Sequence, residues 1–333
     1  MKTNGYQILA AVFVLAGTTL HASAQQTRLT MTSLSPAKTP NSKYFNEWAE
    51  RVNKASDGTL RIVVRDGTTL ANFRNSYDRT MSDAVQIGWA IHGLVAGKFP
   101  KTAVSGLPFL SDDNGRCSAT LWKLYKSGLV DSEYKDVVPI MFACLGSAGL
   151  HFNRKPASIT DLSGMKIRVN GKEPSELVRL LGGASISLPG GAMYEALQRR
   201  TIDGIVTSWS AFAPYKLQEV TNYHIEVPIG QSSSMFFMSK KKFDALPEKA
   251  RKALLDNGGE KQSIALGQFF GGQGDGVRAA VVKSGKHEIV KPTPDQEKVW
   301  RDKVAGLHAD WAKSVPDGGK LIDTYRSLYA ETK

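Results

Sequence analysis

The stretch Asp161-Leu-Ser-Gly-Met-Lys-Ile-Arg-Val-Asn-Gly171 decides how this chain is read. Alternation puts Met165, Ile167 and Val169 on one face and Lys166 and Arg168 on the other, the period of a strand. Alone, the polar side reads as a solvated strand face. The neighbouring sequence shifts that reading. Pro174 suits the first turn of a helix through Leu177, Val178 and Leu181, which Gly182-Gly183 stops. Ser185 to Leu188 reads as a short strand, Met193 to Arg200 as a helix, and Ile202 to Trp209 contains a further strand. The result is a βαβαβ unit with Arg168 and Trp209 at carboxyl ends of strands. Open α/β sheets bind ligands outside those ends.

Towards the N-terminus the same alternation recurs. Leu29 to Leu34 and Leu60 to Val64 read as strands, with Tyr44, Phe45, Trp48, Ala49 and Val52 at helical spacing between them. A helix near Tyr77 to Ser82 leads into a strand at Val85 to Ala90. Strand and helix in turn predict an α/β fold with a mostly parallel sheet. The C-terminal third is helical, with one stripe of Trp300, Val304, Leu307 and Trp311 and another of Leu321, Ile322, Tyr325, Leu328 and Tyr329, both read as core. Gly267 to Gly276 (GQFFGGQGDG) interrupts a stretch suited to a long helix. Each glycine there costs about 1 kcal/mol against alanine, so a break, a hinge or very close packing is expected. It follows no strand, which argues against a phosphate loop.

The chain's 333 residues, 41% of them hydrophobic, suggest two domains of an ordinary globular protein. Residues 1–24 read as a cleavable secretory signal: Lys2, an apolar run from Ile8 to Leu20, and Ala22-Ser-Ala24. The mature protein is therefore expected in the periplasm. Cys117 and Cys144 could form one bridge there or remain two buried thiols. The net charge of +12 is spread along the chain without a recognition-helix or zinc-finger pattern, so nucleic acid is not the expected partner. The excess of positive charge favours small anions. His92, His151, His224, His287 and His308 show no metal-ligand spacing, and neither HExxH, CxxC nor GxSxG occurs. Ser239-Lys-Lys-Lys242 matches SxxK formally but reads as a basic turn. With no catalytic constellation, cofactor or metal expected, the chain reads as a binding protein that closes by a hinge. A periplasmic enzyme on the same fold, or a sensor subunit, are the competing readings.

DLSGMKIRV, then LVRLLGGASISL, then YEALQRRTIDG at Tyr194–Gly204 resemble the solute-binding proteins of tripartite ATP-independent periplasmic (TRAP) transporters, the DctP-like family. Gln86-Ile-Gly-Trp89, Gly97-Lys-Phe-Pro100 and Leu107-Pro-Phe-Leu110 agree in order, so the resemblance spans nearly the whole mature chain. It implies a two-lobed, class II-like periplasmic binding fold with hinge strands and a long lobe-spanning helix. Lobe I would be 25–146 plus 232–273, and lobe II 147–231 plus 274–333. It implies no chemistry, but capture of a small organic acid by a monomer that hands it to the membrane subunits of a TRAP permease. Arg168 takes the place of the arginine that holds the ligand's carboxylate, which suits a planar fork of donors.

Three departures bear on the ligand. Leu145 to Leu150 lacks the second arginine of many relatives, and Gly190-Gly191 stands where others bring an aromatic, which leaves space. Ile205-Val-Thr-Ser-Trp209 replaces Gln-Glu-Asn, so Thr207 or Ser208 would supply a hydrogen bond and Trp209 an apolar plate. Trp89 and His92 are the candidates from the other lobe, with core packing as the alternative for Trp89. This set suits an aromatic or 2-hydroxy or 2-keto monocarboxylate better than a dicarboxylate.

Overall fold

The computed structural model describes residues 26–147 and 149–332; the expected signal segment 1–24 lies outside the described residues. Among the described residues eleven strands run in chain order: β1 Thr27–Thr32, β2 Leu60–Arg65, β3 Gly88–Ile91, β4 Val137–Ser147, β5 Gly149–Phe152, β6 Lys166–Val169, β7 Ala184–Ser187, β8 Gly204–Thr207, β9 Tyr223–Ile225, β10 Gln231–Ser239 and β11 Glu288–Val290. They build two lobes. In lobe I, β1 and β2 pair in parallel and β3-β10-β4 form an antiparallel sheet, with Met31 bridging Ile87 between the two. Lobe II is a single sheet in the order β11-β9-β5-β8-β6-β7, in which β8, β6 and β7 are mutually parallel.

Two strands cross between the lobes. β4 leaves lobe I and continues, past Gly146 at φ 120°, into β5 of lobe II; β10 returns beside it. Their ladder shifts register where Phe237 faces Pro139, which has no N–H to donate. Cys117, on the helix Asn114–Lys126, is disulfide-bonded to Cys144 of β4, and both are fully buried. The bridge ties that helix to the crossing strand.

The helix Gly259–Ser284 is continuous through its glycines. Close packing, not a break, is their reason. Gly267, Gly271 and Gly274 fall on one face at spacings of four and three. A Cβ on Gly267 would overlap the Asn114 carbonyl and Ser118 Oγ; one on Gly271 would lie 3.3 Å from the Asn114 side-chain amide, and one on Gly274 3.3 Å from the Ser210 amide. The stripe lets the helix press against lobe I and then against the segment after β8. Its far end reaches lobe II through Arg278, whose guanidinium grips both oxygens of Glu226, with Nη2 2.9 Å from Oε2.

Four hydrophobic cores back these sheets, two to each lobe. The helix Pro294–Ser314 serves both lobes. Trp300 and Val304 lie in a lobe II core, whereas Leu307 and Trp311 join lobe I, as do Leu321, Ile322 and Tyr325 of the helix Gly318–Glu331. The expected assignment of 274–333 to lobe II is corrected for its last part. One helical stripe rises about 1.5 Å per residue, so its ends reach different cores. Ser239 also finds its reason: its hydroxyl caps the helix Lys240–Asp244 by accepting from the Lys242 amide at 3.3 Å, while Lys240 and Lys242 pair with Asp244 and Asp83.

Candidate functional site

Arg168 stands one residue from the end of β6. Met165, Ile167 and Val169 are buried as the alternation requires and Lys166 is exposed, but Arg168 is only 6% exposed. Its Nε donates to the Leu188 carbonyl at 3.0 Å, just beyond the end of β7. Among the described residues no carboxylate pairs with its terminal nitrogens within 4.0 Å. Burial pulls its pKa down from 12.5 to about 10, and its titratable neighbours are the Tyr215 phenol, neutral at pH 7, and the Arg74 guanidinium. Arg74 is exposed and precedes the lobe I helix Ser76–Met81. The strand end therefore holds a buried cation that also feels the charge of Arg74 on the other lobe.

Gly190 does not face open space. A Cβ there would lie 2.9 Å from Tyr215 Oη and 3.1 Å from Cζ, so Tyr215 fills the room expected to be empty; at Gly191 nothing lies within 4 Å. An aromatic is thus present over this turn, delivered from the helix Phe212–Tyr215 rather than from the segment before Met193.

At the end of β8 one of the two expected donors, the Ser208 hydroxyl, is engaged within the protein. Ser208 Oγ donates to the Leu145 carbonyl of the crossing strand at 3.0 Å, and Ser210 Oγ does the same at 2.9 Å. Ser208 is a hinge contact, because the close approach of Gly146 brings β4 against it. Trp209 is engaged within the protein as well. Its ring packs on His151, Phe212 and His224, with centroids 4.8, 4.5 and 4.8 Å away, and its Nε1 donates to Glu226 Oε1 at 3.0 Å. It wedges lobe II against the long helix instead of forming an open plate. Thr207 is half-buried, and its carbonyl accepts from His151 Nε2 at 3.1 Å.

That bond fixes a row of three histidines. Since a carbonyl only accepts, His151 Nε2 carries the proton and the neutral ring leaves Nδ1 bare. His224 Nδ1 then donates to it at 2.9 Å, and His287 Nδ1 donates to His224 Nε2 at 3.0 Å. Burial pushes His151 down to about 3 and His224, which also feels its two histidine neighbours, to about 2. No sequence signal pointed to this row, whose members lie 73 and 63 residues apart.

Trp89 and His92 belong to the lobe I interior. Trp89 is 3% exposed and stacks on Phe236 and Phe270 at 5.1 and 5.5 Å; its Nε1 is buried without a partner. His92 is 3% exposed, with Nδ1 3.0 Å from Ser233 Oγ and Nε2 3.2 Å from Tyr134 Oη. Both ring nitrogens are taken, so His92 has none to offer a ligand, and burial holds it neutral at about 3.

Residues 31–314 match the model of the bacterial extracellular solute-binding protein family 7, DctP. The chain belongs to this family. A TRAP solute-binding protein from a marine metagenome, specific for aromatic acid ligands and crystallised with 3-hydroxybenzoate, is 25% identical, with a TM-score of 0.86 over 93% of this chain and 99% of that one. A TRAP solute-binding protein of Rhodoferax ferrireducens with copurified benzoate is 24% identical, with a TM-score of 0.84 over 92% of this chain and 98% of that one. A solute-binding protein of Albidiferax ferrireducens is 24% identical over 89% of this chain and 90% of its own length.

Sequence reasoning placed Arg168 at its strand end but gave no sign of Tyr215, Arg74 or Gln231 near the crossing of the lobes. Gln231 opens β10, is 1% exposed, and leaves Nε2 without a partner. Its Oε1 accepts from Asn114 Nδ2 at 3.2 Å, while Asn114 Oδ1 accepts from the Gly271 and Gly146 amides at 3.1 and 3.2 Å. One asparagine thereby joins both crossing strands and the long helix. Nothing in the spacing of single polar residues in loops marks such a convergence in advance. Among the described residues no helix is long and apolar enough to cross a membrane.

Proposed function

We propose that the protein is a periplasmic receptor that captures a small aromatic monocarboxylate between its lobes and delivers it, chemically unchanged, to a TRAP permease. The observation that carries this reading is Arg168: a guanidinium 6% exposed, oriented through Nε, with no acidic partner for its fork among the described residues. Leaving a buried charge unpaired costs several kcal/mol unless a counter-ion arrives. A carboxylate matches the fork with two parallel hydrogen bonds. Arg74 on lobe I repels Arg168 until an anion lies between them, so anion binding and lobe closure favour each other. The family is one of solute receptors, and the 3-hydroxybenzoate-binding relative supports an aromatic acid.

Arg74 also favours a second reading. A free cation on the facing lobe could meet the distal carboxylate of a C4-dicarboxylate, and Trp209, turned inward, does not supply the plate that favoured a ring. A thermal-shift panel of benzoate, 3-hydroxybenzoate, mandelate, succinate and malate separates the two. At a hundredfold excess over Kd, binding adds about 2.7 kcal/mol, which raises Tm on the order of 5 °C or more. Shifts confined to the aromatic acids support the first reading; shifts confined to succinate and malate replace it with the second. If only neutral sugars or cations act, both fail.

A further inference from the structure

We infer that Tyr215 is the second donor of the carboxylate clamp, its hydroxyl doing for the ligand what a second arginine would otherwise do. The inference rests on the receptor reading and deepens it. Two side chains from different elements converge on the turn Leu188–Gly190. Arg168 reaches its first residue through Nε, 3.0 Å from the Leu188 carbonyl; Tyr215 lies against its last, where a Gly190 Cβ would stand 2.9 Å from Oη. Both polar ends therefore border one small volume beyond β6 and β7.

The delivery of Tyr215 is rigid. Phe212, three residues earlier, is fully buried against His151 and Trp209, and Lys216 ends the helix in the left-handed region at φ 53°. The hydroxyl has no hydrogen-bond partner among the described residues, although the ring is half-buried. Burial raises its pKa above 10, so at neutral pH it is a protonated donor. A carboxylate has about four lone-pair sites, enough for the guanidinium fork and one hydroxyl. Glycine at 190 then has a specific reason: any side chain would push the phenol off the turn. A hydroxyl also adds a hydrogen bond to the carboxylate without adding a further positive charge to the clamp.

The test is calorimetric titration with benzoate, whose carboxylate is its only polar group, at pH 7.5. Tyr215→Phe keeps the ring and should weaken binding about 10-fold to 100-fold, the loss of one hydrogen bond to a charged group. The Tm of the free protein should stay unchanged. Gly190→Ala should weaken binding comparably by displacing the hydroxyl. In an Arg168→Lys background the effect of Tyr215→Phe should shrink, since both groups act on one carboxylate. Tyr215→Phe that binds benzoate as the wild type does overturns the clamp and leaves the receptor reading standing. A wild-type protein that binds neither benzoate nor any other acid of the panel overturns the receptor reading and the clamp with it.

Discussion

A guanidinium kept out of water with no acid pairing with it among the described residues destabilises the free protein, a cost that the proposed carboxylate would offset. Arg168→Met should raise the Tm of the unliganded protein, by about 2–4 °C for each kcal/mol of relieved desolvation, while abolishing acid binding. An unchanged or lower Tm with binding lost would mean that the arginine is structural. Arg168→Lys should recover only part of the affinity. Ammonium keeps the charge but lacks the fork, and truncating a buried charge partner costs about 2–5 kcal/mol, or roughly thirtyfold to several thousandfold in Kd. Wild-type affinity in Arg168→Lys, measured by calorimetry, would make the planar geometry irrelevant. Arg168 was legible because strand alternation and a following βα pattern are local signals. Tyr215, Arg74 and Gln231 were not, since each meets its neighbours through folding from a distant part of the chain. Trp209 misled for a related reason: a strand end faces the cleft, but the residue after it can turn back, and Glu226 draws its indole N–H inward.

At the scale of elements, the long helix makes the sharpest claim. Its glycines divide into those that touch and those that do not. Gly267→Ala must part the helix from Asn114 and Ser118, an overpacking cost of about 1–3 kcal/mol. Gly272→Ala and Gly276→Ala meet nothing within 4 Å and should stabilise by about 0.5–1 kcal/mol through helix propensity. Urea denaturation of the three variants checks the contrast; equal effects would remove close packing as the explanation. The Cys117–Cys144 bridge closes a separation of 27 residues, so its reduction should cost about 3–4 kcal/mol. Denaturation midpoints with and without reductant measure it. Most βα elements around the site were readable from periodicity. The crossing strands β4 and β10 were not: β4 is an almost continuous apolar run with Pro139 inside it, and β10 begins with Gln-Ser-Ser-Ser, so neither shows alternation.

At the scale of the whole molecule, burial of neutral imidazoles makes stability depend on pH in a defined window. His92 and His151 are held at about 3 and His224 at about 2, all by desolvation first, against an ordinary value of 6.5. Below pH 6.5 the unfolded chain takes up protons at these three sites that the folded chain refuses. Stability is therefore complete above 6.5 and falls as pH drops towards 3. By pH 5.5 each histidine contributes a loss of about 1.4 kcal/mol, together about 4. The row permits no local escape. A proton on His224 Nε2 would face the N–H of His287, and one on His151 Nδ1 would face that of His224, so charging either breaks a buried bond. Glu133 and Glu173, raised by burial, act in the opposite sense, but only near the carboxylate range. Tm measured from pH 7.5 to 5 should fall steadily below 6.5, and a His92→Gln variant should show a shallower fall. A flat Tm across that interval would mean that these histidines are charged in the native protein or exposed to solvent, and the proton assignment along the row would be wrong.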